Sequence, residues 1–111
     1  MIRRVRIGYL DYSLVFNEGM AEAGDFKGQI DYDKGTIIIR PSLNQQQQAQ
    51  TLFHEIIHGV ISNSRLSKVI RHDWQEAFVD ILASGIVQVI RDNPALVAWV
   101  GGLWKDPCDD A

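Results

Sequence analysis

Two neighbouring segments decide the fold: Thr36-Ile37-Ile38-Ile39-Arg40, closed by Pro41-Ser42, and Thr51-Leu52-Phe53-His54-Glu55-Ile56-Ile57-His58-Gly59. The first is a β-branched run and reads as a strand. Ser42 with Gln45 fits a capping box, and it predicts a helix running to about residue 63. Leu52, Phe53, Ile56, Ile57, Val60 and Ile61 make that helix apolar and buried. Residues four apart lie one above the other on a helix, so His54 and His58 can reach one metal ion. Glu55 points about 100° away around the axis, beside such an ion but not bound to it. Two surface histidines on an amphipathic helix would be the plain alternative, but the flanking residues are too apolar for it.

The spacing His54-Glu55-x-x-His58 is the zinc-peptidase pattern. Two imidazoles hold the ion, and the glutamate serves as general base toward a zinc-activated water. A catalytic zinc takes a third protein ligand. Glycine at 61 and histidine at 64 would mark one class of such sites; the chain has Ile61 and Ser64, which excludes it. Glu76, eighteen residues beyond His58, is the next choice. Asp80 lies one turn further along the same face. As a lone carboxylate in an apolar stretch, it needs a partner such as the outer nitrogen of a ligating histidine. Glu76 also reads as the third residue of a capping box opened by Asp73. His72 is a rival third ligand, a transition-state donor or a surface histidine. Trp74, Trp99 and Trp104 read as packing residues, and Tyr9, Tyr12 and Tyr32 have no site role legible in the sequence.

Outward from the motif, residues 2–10 alternate apolar and polar and read as one strand, with 12–16 either continuing it or forming a neighbour. Residues 17–25 read as a loop. Residues 26–40 read as a hairpin turning at Asp33-Lys34-Gly35, with Gly35 available for positive φ. A second long helix is expected over 73–92; because residues 77–90 are apolar nearly all round, it should be the central buried one. Asn93-Pro94 stops it, and Pro94 opens a short third helix.

The 111 residues suit one domain, 1–111. Hydrophobic content of 46%, charged content of 23% and net charge −3 describe an ordinary globular chain. No basic patch argues for nucleic acid, and no apolar run is long enough for a membrane span. Cys108 is alone, so no intrachain disulfide forms, which suits a reducing cytoplasm. No secretory leader is visible.

The Glu-x-x-x-Asp that follows His-Glu-x-x-His is similar to the arrangement in thermolysin-like peptidases. Over roughly residues 26–92, the order of hairpin, Thr-Leu-x-His-Glu-x-x-His and Glu-bearing helix resembles the ImmA/IrrE family of bacterial and phage metallopeptidases. The resemblance implies a zinc-dependent, cytoplasmic enzyme acting on a regulatory protein of a mobile element or stress response. No segment of these 111 residues reads as the helix-turn-helix module that many relatives carry.

The expectation is therefore an α+β fold: a small antiparallel sheet packed on two long helices with a zinc site between them. One Zn²⁺ per chain would be held by His54, His58 and Glu76, with Glu55 as base and a peptide or protein as substrate. Thr36, Ile37, Ile38, Ile39 and Arg40, if they form the sheet edge, would pair with the substrate as an added strand. A metal-stabilised interaction domain without turnover is the alternative.

Overall fold

The computed structural model describes residues 3–18, 27–64 and 68–102. Its architecture is mixed α+β. Among the described residues, four strands, β1 (Arg4–Ile7), β2 (Leu10–Phe16), β3 (Gly28–Asp31) and β4 (Thr36–Ile39), are followed by three long helices, α1 (Gln45–Ser62), α2 (His72–Asp92) and α3 (Pro94–Gly102). Trp104, Cys108 and most of the expected 17–25 loop lie outside the described residues. None of the helices described is long and apolar enough to cross a membrane.

The expected single strand over residues 2–10 is instead a hairpin, with Ile7 paired to Leu10. Gly8 takes φ +63° while Tyr9 keeps negative φ, the pattern of a two-residue II′ turn that suits the right-handed twist of paired strands. Tyr9 sits at the tip, 79% exposed, and its place in the alternation was accidental. The 28–39 hairpin forms as expected, with Gly35 at φ +63°. The Asp31 carboxylate accepts from the N–H groups of Asp33 and Lys34 and fixes that turn.

The strand order is β1-β2-β4-β3. The sheet is not wholly antiparallel, because β2 and β4 run parallel, with Leu14 opposite Ile37 and Phe16 opposite Ile39. This places Thr36, Ile37, Ile38 and Ile39 in an interior strand paired on both sides, and Arg40 just beyond it. The proposed substrate strand is thereby ruled out: every ladder position of β4 is already used. The edge nearest the motif helix is β3.

One sheet face carries the core. Ile7, Tyr12, Ile37 and Ile39 are buried there, with Val5, Leu14, Phe16 and Ile30 around them and Leu52 and Ile56 of α1 above. Helix α1 lies between this face and α2, so α1 is the central helix. That corrects the expectation for α2, of which only Val79 and Ala83 are buried. Much of the rest of its apolar surface faces solvent, including Phe78 and Ile81, because among the described residues only α1 and α3 pack on it. Trp74 and Trp99 are likewise exposed rather than core. Helix α1 is capped by Asn44 and Gln47, not by Ser42 and Gln45. The Ser42 N–H is instead taken by Glu18 Oε1 at 2.7 Å, which moves the helix start two residues on.

Close approach of β3 to α1 depends on Gly28. A Cβ there would stand 2.5 Å from Thr51 Cγ2 and 2.9 Å from the Ile38 carbonyl oxygen. Gly28→Ala should therefore cost about 1–3 kcal/mol, the usual scale for an overpacked contact. Thr51→Ser, which removes the clashing methyl, should return part of it. Urea unfolding of the single and double variants checks this; an unchanged midpoint for Gly28→Ala would contradict the packing described.

Candidate metal centre

Helix α1 presents His54 and His58 on the side that faces α2, and α2 presents Gln75, Glu76 and Asp80 in return. Spacings of four on both helices make the two rows meet. Together with the β3 edge, they line an open cleft of about 880 Å³.

The outer nitrogens of the two rings each meet a side-chain oxygen. His54 Nδ1 lies 2.9 Å from Asp80 Oδ1, and His58 Nδ1 lies 3.1 Å from Gln75 Oε1. Both oxygens accept a proton donated from Nδ1, which is the tautomer a ligating imidazole needs. Each ring therefore turns an Nε2 lone pair inward, and the two Nε2 atoms stand 3.2 Å apart. Glu76 adds its carboxylate at the same point, with Oε1 at 2.9 Å from His58 Nε2 and Oε2 at 3.5 Å from His54 Nε2. A proton at that point would satisfy one nitrogen, whereas a metal ion satisfies both nitrogens and the carboxylate. Two ligands of a tetrahedral zinc, each about 2.0–2.1 Å from the ion, stand about 3.3–3.4 Å apart. The 3.2 and 3.5 Å separations lie near that span, and the 2.9 Å separation is shorter than it.

His54, Glu55 and His58 already form a group that could hold a metal ion, their donor atoms all lying within 4.8 Å of one another. Within it Glu55 is the more distant, its Oε1 4.0 Å from His54 Nε2. Glu76, from the opposite helix, comes closer to both rings. Glu55 is buried, and burial is the main reason its carboxyl is pushed up to about 7. The His54 ring and a hydrogen bond from the Ile30 N–H act the other way, while the Glu76 charge adds to the rise.

The capping-box reading of Glu76 does not hold, because the helix begins at His72 with Arg71 as N-cap and no side-chain cap. Asp80 takes the outer nitrogen of His54, as expected from its spacing, yet it lies at the cleft rim with its side chain 70% exposed. His72 lines the cleft at the first residue of α2, apart from the His54, Glu55 and His58 group. Two residues were missed. Gln75 orients His58; its neutral amide gave no charge to notice, although a ligating imidazole always asks for an outer acceptor. Tyr32 lines the cleft, and burial together with the Glu55 charge holds its phenol above the ordinary value. The chain matches no protein-family model, no curated protein and no solved structure.

The two acidic residues of α2 should separate cleanly. Glu76→Ala removes a direct donor and should abolish most of the zinc affinity, whereas Asp80→Asn removes only an orienting acceptor and should cost about 10–100-fold. Gln75→Ala should resemble Asp80→Asn. Competitive zinc titration of the three variants measures this; equal small losses in all three would remove Glu76 from the donor set.

Proposed function

We propose that the chain is a zinc-dependent metallopeptidase of the ImmA/IrrE type, working in the cytoplasm of a bacterial or phage-infected cell on a regulatory protein of a mobile element. The observation that carries this reading is the meeting of two Nε2 lone pairs and the Glu76 carboxylate beside a buried second glutamate, Glu55. His54, His58 and Glu76 would hold the ion. A bound zinc supplies Lewis acidity, lowering the pKa of a water toward about 7 and polarising a carbonyl oxygen.

The chain's own groups supply the rest. Glu55, facing the cleft from a dry wall, takes a proton from the attacking water and returns it to the departing amine. The Ile30 N–H donates to Glu55 and holds its carboxylate in place. Asp80 and Gln75 keep both imidazoles in the tautomer that leaves Nε2 free to ligate.

Strand β3 is suited to the substrate role first sought in β4. Among the described residues it pairs only with β4, and the Arg40 N–H donates to the Lys27 carbonyl. Strand parity then turns the Gly28 amide and the carbonyls of Gly28 and Ile30 to the outer edge, the Ile30 amide there being taken by Glu55. An extended peptide laid along this edge would bring a backbone carbonyl toward the two histidines. The exposed apolar surface of α2 supports the alternative reading, a metal-holding interaction domain without turnover.

Glu55→Gln distinguishes the two. The variant should keep its fold and its zinc, while cleavage of a peptide pool, followed by mass spectrometry of the zinc-loaded protein, should fall by at least about 10²-fold. Equal cleavage by the variant would contradict the role given to Glu55. Absence of cleavage by the native chain on any peptide would favour the interaction domain.

A further inference from the structure

Strand β3 and helix α1 run in the same direction. A Cβ on Gly28 would stand 2.5 Å from Thr51 Cγ2, and one on Gly59 would stand 3.3 Å from Ile30 Cδ1. Helix α2 runs the other way, with Glu76 against His58 and Asp80 against His54. One turn beyond Asp80, Ala83 and Ser84 therefore face the stretch of α1 that carries Gln47 and Gln50. With Thr51 they line the end of the cleft beside Gly28. Gln47, Gln50, Thr51 and Ser84 are neutral, and each both donates and accepts hydrogen bonds. Asp80 is engaged by His54 Nδ1 at 2.9 Å. Lys27 precedes Gly28 by one residue, so strand parity sends its side chain to the other face of the sheet.

The outer edge of β3 decides which part of a peptide reaches this end. Gly28 turns both its N–H and its carbonyl to that edge. In an antiparallel pair one peptide residue exchanges both bonds with it, and such pairing is slightly stronger than parallel pairing. The residue opposite Ile30 is then two positions earlier in the peptide. Its N–H can donate to the Ile30 carbonyl, but its own carbonyl finds no amide, because the Ile30 N–H is given to Glu55. That carbonyl stands beside Glu55, placed for attack, and the bond cleaved follows it. The residue opposite Gly28 is therefore the second after the cleaved bond. Paired residues of two strands turn their side chains to the same face. Its side chain thus points toward α1, where Gly28 has none of its own and leaves the space to the peptide. Given the peptidase reading, we propose that this end of the cleft is a subsite for a neutral amide side chain, glutamine or asparagine, on the second residue after the cleaved bond. A primary amide meets Gln47 and Gln50 with a donor and an acceptor at once. Leucine would leave those amides unpaired, and a charged side chain would lose water without an opposite charge to meet it.

Cleavage of a peptide pool by the zinc-loaded chain, read by mass spectrometry, tests this. Glutamine and asparagine should be enriched at the second residue after the cleaved bond. In the most efficiently cleaved peptide, leucine or glutamate at that position should lower kcat/KM about tenfold, the scale of unpaired hydrogen-bonding groups. Gln50→Lys should turn the preference there toward aspartate and glutamate, and Gln50→Glu toward lysine and arginine, with zinc content and helical circular dichroism unchanged. Cleavage without preference at that position, enrichment only before the bond, or a preference that both Gln50 variants leave unmoved overturns the subsite while the peptidase reading stands. A native chain that cleaves no peptide overturns both.

Discussion

Two imidazole nitrogens, each with its lone pair turned inward, stand 3.2 Å apart, and a carboxylate from another helix closes on the same point. Like groups of this kind repel unless a cation lies among them. Much of the structure serves that arrangement. The sheet and its core hold α1 by Leu52 and Ile56, which fixes the histidine row. Helix α2 has only Val79 and Ala83 buried against its surroundings, so its hold on α1 depends heavily on Gln75, Glu76 and Asp80. Burying one valine is worth about 1.5–3 kcal/mol, whereas a metal ion ligated from both helices would join them directly and would couple its binding to the docking of α2.

The electrostatics divide the labour between the two glutamates. Glu55 lies in a dry wall of the cleft, where ionisation is opposed and a proton is readily held. Glu76 is 43% exposed at its side chain and stands within 3.5 Å of both rings, where its carboxylate can reach an ion held between them. Position along the chain sets these environments: Glu55 is turned toward β3 by about 100° from the histidine row, and Glu76 arrives from the facing helix.

What was legible in the sequence follows the range of the interactions. The His54, Glu55 and His58 arrangement could be read because helical periodicity is local, and the Glu76 and Asp80 pair because it repeats the same period. The hairpin at residues 28–39 announced itself through its β-branched run and Gly35. The β2–β4 pairing could not be read, since a parallel contact between strands separated by β3 has no local signature; the error about the substrate edge followed from it. The turn at Gly8-Tyr9 was hidden because Tyr9 kept the alternation. Helix α2 was misjudged because apolar composition reports what a helix could bury, not how many layers exist to bury it. Gln75 escaped notice because a neutral amide becomes informative only once a histidine faces it.

The central claim is that a metal ion is held between α1 and α2 by His54, His58 and Glu76. X-ray absorption at the zinc edge of the protein, purified without a histidine tag and loaded with one equivalent of zinc, tests it most directly. The account predicts two imidazole nitrogens and carboxylate oxygen at about 2.0–2.2 Å, with the oxygen from the protein lost in Glu76→Ala. A spectrum with a single imidazole, with sulfur from Cys108, or with zinc removed by simple dialysis would contradict it.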